Sequence, residues 1–143
     1  LTSGKTTVEA YGVAVVDDIA AGSDAAAASQ AIALVMLATT VSIDGEHAET
    51  AFSPVAVTPD EIANLALHLT VNGKAVTGED EGGQGFAEAV AAQVRHRSLG
   101  AGTLVDLGAP SITTSLSAGD LLRLDAKDTT GHSIFGAIER KAS

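Results

Sequence analysis

The sequence predicts an α+β domain that is mainly β, with two or three short helices. Apolar and polar residues alternate through Leu65–Val71 and again through Leu122–Asp125, which is the period of a half-buried strand. Asn72-Gly73 directly follows the first of these segments and is a strong hairpin signal. The length of 143 residues suits a single domain, residues 1–143, in which we expect residues 1–7 to be flexible.

The first part of the chain is expected to form strands separated by one short helix. Val and Ala dominate the strand segments. The segment between them is a run of alanine, the residue type with the highest helix propensity. Ser23 or Asp24 is placed to cap that helix. The expected elements are a strand Val8–Val16, a turn at Asp17-Asp18, a helix Ala25–Ala31, a strand Ile32–Val41, a turn at Asp44-Gly45 and an extended segment Phe52–Val57.

The second part adds a capped helical turn, a hairpin, an amphipathic helix and further strands. Thr58-Pro59-Asp60-Glu61 combines a capping box with proline at the first helical position. Apolar residues at helical spacing predict a helix Phe86–His96, with the basic trio Arg95-His96-Arg97 in its last turn. The other expected elements are a strand Lys74–Val76, an acidic loop Glu79–Gly85, an extended segment Leu104–Leu107, a turn Asp128–Gly131 and a strand Ser133–Arg140.

The composition limits the partners that the protein can have. The chain carries 18 Asp+Glu against 8 Lys+Arg, and its formal net charge is −10. This charge repels nucleic-acid phosphates and anionic membranes, so we expect neither as a partner. The absence of Cys excludes disulfides and thiolate sites. No apolar run reaches the roughly 20 residues that span a bilayer, and the N-terminal residues lack a signal region, so we expect a cytoplasmic protein.

Few residues form a recognisable chemical motif. The four histidines are widely spaced, and none belongs to the H-x-x-x-H pattern of a zinc site. Asp17-Asp18 and Glu79-Asp80-Glu81 are interpreted as solvated charged segments, with a hard-cation site as the alternative. His47 differs from the other histidines because three acids surround it in a segment expected to be a loop. It is therefore the histidine that we single out for acid–base chemistry.

An ordered set of short motifs extends along most of the chain. The motifs are Ile32–Leu37, Thr50–Glu61, Leu69–Lys74, Leu99–Val105, Ala118–Asp120 and Gly131–Glu139. Their order and spacing resemble the C-terminal catalytic domain of the fumarylacetoacetate hydrolase family, and the resemblance covers nearly everything from Val8 onward. It implies a β-roll of mixed sheets with small flanking helices, commonly a homodimer.

The family that the sequence resembles uses Mg²⁺ or Mn²⁺ to hydrolyse, decarboxylate, hydrate or tautomerise 2-keto acids and β-diketones. A Glu-x-Glu pair on one strand and an Asp on a following strand hold its metal, because alternate residues share a face. Here the pair aligns with Ala10-Tyr11-Gly12, or with Glu9 retained if the register slips by one. The metal Asp aligns with Thr40, which follows Thr39.

Other functional positions of the family also differ. Its active-site Lys aligns with His47, its substrate-binding Thr aligns with Ala109, and its N-terminal lid region has no counterpart in the sequence. Ala, Gly and Thr do not replace carboxylates as ligands, so we expect no metal and no cofactor. The alternative is a misalignment in which Asp17 or Asp18 supplies the ligands.

These departures predict a repurposed, metal-independent enzyme that acts on a hydrophobic keto or polyene small molecule in natural-product biosynthesis. A cyclase, an isomerase or a decarboxylase fits best, with His47 as general acid/base and Tyr11 and Thr40 as hydrogen-bonding catalytic residues. The residues expected to line the substrate site are Ala10, Gly12, Thr39 and Ala109. The alternatives are a non-catalytic binding or scaffold protein of the same fold and a weak metal-assisted hydrolase or decarboxylase of 2-keto acids.

Overall fold

Strands form most of the regular structure in the computed structural model, which describes residues 4–61, 66–76, 85–127 and 131–142 and, for 108–110, the backbone alone. The elements are β1 (Thr6–Val16), α1 (Ala25–Ala31), β2 (Ile32–Ile43), β3 (Glu46–Phe52), a 3₁₀ turn (Pro59–Glu61), β4 (Ala66–Val71), β5 (Lys74–Val76), α2 (Phe86–Gln93), β6 (Thr103–Leu116), β7 (Leu121–Lys127) and β8 (Ile138–Lys141). The predicted fold class, mainly β with short helices, is confirmed. None of the helices in the described ranges is long and apolar enough to cross a membrane.

The strands form two four-stranded sheets, with the orders β3-β2-β1-β6 and β5-β4-β7-β8. In the first sheet, β1 lies between β2 and β6 and pairs with both of them. The pairs between the described strands are all antiparallel. The pairing of β1 with β2 is regular from Thr6↔Ile43 to Val15↔Leu34, so it fixes which side chains share a face.

The side chains of β1 alternate between two faces of the first sheet. One face packs against the second sheet, in a hydrophobic cluster that both sheets share. We call it the core face, and the opposite side of the first sheet the outer face. The β1 residues in the cluster are Val8, Ala10, Ala14 and Val16. Phe135, which is 1% exposed, is among the largest fully buried side chains of this core.

Local capping signals correctly predicted where two helical segments begin. The carboxylate of Asp24, rather than the hydroxyl of Ser23, caps α1, since its Oδ1 accepts a hydrogen bond from Ala27 N at 2.9 Å. The capping box is also present, because Glu61 Oε2 accepts a hydrogen bond from Thr58 N at 3.0 Å. These interactions depend on residues three positions apart, which is why the sequence alone reveals them.

Two predicted elements are longer than the observed ones. The helix α2 ends at Gln93 because the N–H of Val94 bonds to Ala91 in a tighter turn, so the basic trio at 95–97 follows the helix and is not in its last turn. The last strand begins at Ile138 rather than Ser133, since Gly136 has a φ of +70° that an extended strand does not allow. Predictions for residues 1–3, 65, 79–84 and 128–130 fall outside the described residues.

The main correction concerns β3, where the sequence predicts a loop around His47. The segment is an edge strand of the first sheet, and most of its residues are exposed. It therefore lacks the alternation of buried and exposed residues that marks a strand in a sequence. A β-bulge at Ala48 interrupts its pairing, because His47 lies opposite Ser42 whereas Glu49 lies opposite Val41.

Asn72 and Asp120 connect the β4–β5 hairpin to the turn before β7. The Asn72 amide donates to Asp120 Oδ1 at 2.9 Å and accepts from the backbone N–H of Leu121 at 2.9 Å. The Ser117 backbone N–H donates to Asp120 Oδ2 at 2.8 Å. The Ser117 hydrogen bond, followed by that of Asn72, lowers the pKa of Asp120 from its ordinary value of 3.8.

Replacing Asn72 with Ala should raise the pKa of Asp120 towards 3.8, because only one of its two hydrogen bonds remains. A carboxyl group with a lowered folded-state pKa stabilises the fold above its unfolded pKa, and this stabilisation is lost as the pH falls through the folded value. Wild-type stability, measured against Asp120→Asn, should therefore decline below about pH 4. A carboxyl NMR titration of Asp120 checks the shift, and an identical pKa in wild type and Asn72→Ala would contradict it.

Candidate active site

Four polar side chains form a continuous chain of hydrogen bonds across the outer face of the first sheet. The Tyr11 hydroxyl lies 2.8 Å from Thr40 Oγ1, which lies 3.1 Å from Thr50 Oγ1. The Thr50 hydroxyl in turn lies 2.8 Å from Nε2 of His47. We call these four residues the hydroxyl relay. It connects a partly buried phenol on β1 to an exposed imidazole on β3.

The strand pairing explains why the relay forms. Thr40 lies opposite Thr50, so the two hydroxyls meet across adjacent strands. His47 reaches the same face because the bulge at Ala48 places it opposite Ser42, an outer-face residue of β2. With regular pairing, His47 would instead lie opposite Ile43 and face the core side of the sheet. The relay therefore brings together the three predicted catalytic residues, and Thr50 is the link that the sequence analysis missed.

The residues predicted to line the substrate site do not join the relay. Ala10 and Thr39 lie opposite each other on the core face, and each is 0% exposed. Gly12 is buried on the same face, and Ala109 lies in β6, where the structure does not describe its side chain. Within the described part of the chain, the buried hydroxyl of Thr39 has no hydrogen-bond partner. Ala10 belongs to the hydrophobic cluster of the core, and contact of these residues with a substrate remains a prediction.

The two alignment registers that the sequence left open place their residues on opposite faces of β1. Glu9 and Tyr11 share the outer face of β1, and Glu9 lies opposite Thr40. Ala10 and Gly12 point the other way, into the core. The register that retains Glu9 is therefore the one that places the aligned pair on the same face as Thr40.

Two carboxylates accompany the relay on the outer face. Asp106 lies opposite Val13, which has the same orientation as Glu9 and Tyr11 on β1. The pKa of Glu9 is raised from its ordinary value of 4.5, first by partial removal of its carboxyl group from water and then by the negative charge of Asp106. Asp106 was not singled out from the sequence, because only the pairing of β6 with β1 shows that it lies near Glu9.

An apolar area adjoins the polar relay. Val13 and Ala38 are 3% and 0% exposed, yet neither belongs to the hydrophobic cluster of the core. Ala38 lies opposite both Tyr11 and Phe52, so this area directly continues the relay across the sheet. Phe52 is 43% exposed. Val13 and Ala38 are covered, so Phe52 alone of these three residues places exposed apolar surface beside the hydrogen-bonding groups of the outer face, an arrangement suited to a small molecule with both characters.

The residues on this face do not fit a divalent metal ion. Glu9 is the one carboxylate among Glu9, Tyr11 and Thr40, and the hydroxyls of the other two are hydrogen-bonded to each other. The described residues include no group of three or more His, Cys, Asp or Glu that is arranged to hold a metal ion. Mg²⁺ and Mn²⁺ prefer carboxylate oxygens, and neutral hydroxyls are weaker ligands.

Asp17 and Asp18 do not complete a metal site with Glu9. Both are exposed and follow the end of β1, so roughly 26 Å of extended strand separates Asp17 from Glu9. Asp18 Oδ1 instead accepts a hydrogen bond from Ala101 N at 2.8 Å, which stabilises the turn before β6. Glu9 and Asp17 are therefore too far apart to hold one ion together.

Comparisons with known proteins identify the fold. No protein-family model matches the sequence, and no curated protein matches it. The structure resembles 4-oxalocrotonate decarboxylase from Pseudomonas putida G7, complexed with magnesium and adipate, with a TM-score of 0.75 and 14% identity over 97% of this chain and 61% of that chain. For 5-carboxymethyl-2-hydroxymuconate delta-isomerase from Mycobacterium smegmatis, the TM-score is 0.75 and the identity 14%, over 99% of this chain and 60% of that chain. Fumarylpyruvate hydrolase from Pseudomonas aeruginosa, in complex with Mn²⁺ and pyruvate, has a TM-score of 0.76 and 15% identity, over 99% of this chain and 67% of that chain.

These likenesses confirm the fold that the sequence resemblance implied, that of the C-terminal domain of the fumarylacetoacetate hydrolase family. The chain spans 60–67% of the length of these three solved structures. Identities of 14–15% show a common fold and leave the activity to be argued from the site.

Replacing Glu9 with Gln should stabilise the fold at neutral pH. A carboxyl group with a raised folded-state pKa gives full stability below its unfolded pKa, and stability is lost as the pH rises through the folded value. The neutral amide avoids this loss, so Glu9→Gln and wild type should be about equally stable near pH 4 and should differ at about pH 7. Urea unfolding at both pH values measures the difference.

Asp106→Asn is the companion variant for this measurement. Asp106→Asn should remove only part of the upward shift in the pKa of Glu9, because loss of contact with water is the larger cause of that shift. A Glu9→Gln variant that is less stable than wild type at both pH values would show that the carboxylate is favourable in the fold and would contradict the assignment.

Proposed function

We propose that this chain is a metal-independent acid–base enzyme that acts on a hydrophobic keto or polyene small molecule, as a cyclase, isomerase or decarboxylase. The observation that carries the proposal is the hydroxyl relay, which joins Tyr11 to the exposed imidazole of His47 without a break. Solved structures of the same fold are named as an isomerase, a decarboxylase and a hydrolase, which supports an enzymatic role.

The presence of a hydrogen on Nε2 of His47 determines, through the relay, whether the Tyr11 hydroxyl is free to donate a hydrogen bond to a substrate. Each hydroxyl in the relay has one hydrogen. If Nε2 of His47 accepts from Thr50, the Thr50 hydrogen is used and Thr40 must donate to it. The Thr40 hydroxyl then has no hydrogen left to give to Tyr11, so Tyr11 must donate its own hydrogen to Thr40. Tyr11 is therefore able to donate to a substrate only when Nε2 of His47 carries a hydrogen.

This coupling supports proton transfer at a substrate carbonyl group. In the proposed enolisation, the α C–H bond breaks, its electron pair forms the C=C bond, and the carbonyl oxygen takes a proton from Tyr11. The relay returns a proton to Tyr11 from His47. Glu9, on the same face and opposite Thr40, accepts the α proton, and its raised pKa makes it a stronger base than an ordinary carboxylate. Solvent then carries the proton from Glu9 to His47, which completes the cycle.

The apolar area beside the relay supports a hydrophobic substrate. Phe52 lies on the outer face beyond Ala38 and is 43% exposed, so an apolar body packs on its ring while the carbonyl group meets the relay. Positioning of this kind supplies much of an enzyme's rate when no cofactor takes part. The proposal includes the homodimer and the small-molecule partner expected from the sequence.

The test uses benzoylacetone, an apolar β-diketone, and follows exchange of its α protons by NMR. His47→Ala should lower the enzymatic rate by about 10²–10⁴-fold, which is the usual contribution of a general acid or base. Thr50→Val should also lower the rate because it interrupts the relay, whereas Thr50→Ser should restore it. His96→Ala is the matched control, since His96 is an exposed histidine outside the relay.

Three outcomes would overturn the proposal. An unchanged rate in His47→Ala removes the relay from the reaction. Loss of activity with a chelator, restored by Mn²⁺, identifies a metal-assisted hydrolase or decarboxylase instead. Binding of the diketone without any exchange above the solvent rate identifies a binding protein.

A further inference from the structure

The outer face of the first sheet is polar at one end and apolar at the other, with Tyr11 at the boundary. Directly paired residues share a face, so each outer-face residue of β1 defines a row that crosses the sheet. The two rows on one side of Tyr11 carry polar side chains on β1, β2 and β6, namely Thr7, Ser42, Ser115, Glu9, Thr40 and Thr113. The two rows on the other side, those of Val13 and Val15, are apolar apart from Asp106 on β6.

Four side chains of the apolar end form what we call the apolar strip: Met36, Val15, Leu34 and Leu104. Met36 lies opposite Val13, and Val15 lies opposite both of the leucines. Leu104 is 49% exposed, and the other three are partly exposed. Among the described residues, none of the four belongs to the hydrophobic cluster of the core or packs against it. The strip is therefore accessible apolar surface that does not contribute to the core.

We propose that the apolar strip binds an unbranched alkyl chain of the substrate, so that the substrate is a long-chain ketone. This inference rests on the function proposed for the relay. With the carbonyl group at Tyr11, the chain extends over the Val13 row to Val15. It does not extend the other way, because it would there cover Glu9 and hydroxyl groups without giving them hydrogen bonds.

The length of the strip sets the length of the chain. From Tyr11 to Val15, four residues of extended strand cover roughly 13 Å, which corresponds to about ten carbon atoms of an extended alkyl chain. At that distance the chain reaches Leu104, which also lines a recess of about 100 Å³. Arg97 and Asp106 line the same recess, so one cation and one anion are present and neither charge is favoured at the end of the chain. The expected chain is therefore uncharged as well as long.

The experiment measures dissociation constants by NMR titration for 2,4-pentanedione, 2,4-nonanedione and 2,4-tridecanedione. The affinity of the wild type should rise by about twofold for each added methylene group, because the chain and the strip cover each other from water. Full burial of a methylene group would give a larger factor, but one side of the chain faces solvent on an open sheet.

Two variants determine where the chain lies. Leu104→Ser should weaken binding of 2,4-tridecanedione by about tenfold and leave 2,4-nonanedione unchanged, since the shorter chain ends before that row. Met36→Ser should weaken both of these diones and leave 2,4-pentanedione unchanged. Leu121→Ser is the matched control, because Leu121 is a 57% exposed leucine in the second sheet, and it should change none of the three.

Thermal unfolding without ligand establishes that each variant is folded. An affinity that does not depend on chain length, or an equal loss for all three diones in Leu104→Ser, would overturn the inference. If α-proton exchange still required His47 in that case, the function proposed for the relay would stand alone. Length-dependent binding that Leu104→Ser shortens, without exchange above the solvent rate, would instead support the strip and remove the enzymatic function. Failure of the long dione to bind, together with a dimer that Leu104→Ser dissociates, would show that a second copy covers the strip.

Discussion

The regular pairing of β1 with β2 is the constraint on which both faces of the first sheet depend. Directly paired residues share a face, so one register places Ala10 and Thr39 in the core and Glu9 and Thr40 on the outer face. A shift of one residue would exchange the two sets and expose the apolar residues of the cluster. The burial of small apolar side chains therefore also positions the polar groups, because both follow from the same alternation.

The outer face has hydroxyl groups at positions where a cluster of carboxylates would need a bound cation to offset their repulsion. Three carboxylates close together repel one another, and a divalent ion offsets that repulsion. The hydroxyls of Tyr11 and Thr40 satisfy each other by a hydrogen bond, so these two positions add no carboxylate that would repel Glu9. The chain has 18 acids, and among the described residues Asp106 is the one whose negative charge raises the pKa of Glu9. Acidity of the whole chain and acidity of the site are thus separate properties.

Structural features that depend on residues close together in the chain were predictable from the sequence. Features that depend on which strands pair in the sheet were not. The helix Ala25–Ala31, its cap at Asp24 and the hairpin at Asn72 each depend on contacts within a few residues. The strand Glu46–Phe52 was missed because an exposed edge strand has no buried alternation. The role of Thr50 was likewise hidden, because its neighbour Thr40 lies ten positions away and meets it only across the sheet.

The bulge at Ala48 has a consequence for how the length of β3 can change during evolution. His47 and Glu49 are two positions apart, yet they face opposite sides of the sheet. A chain that lost Ala48 would keep Ser42 opposite His47 and Val41 opposite Glu49, now in regular succession. A deletion at this position would therefore leave the histidine on the same face of the sheet. The number of residues in this strand is free to vary by one, provided that the residue lost is the one without a direct partner.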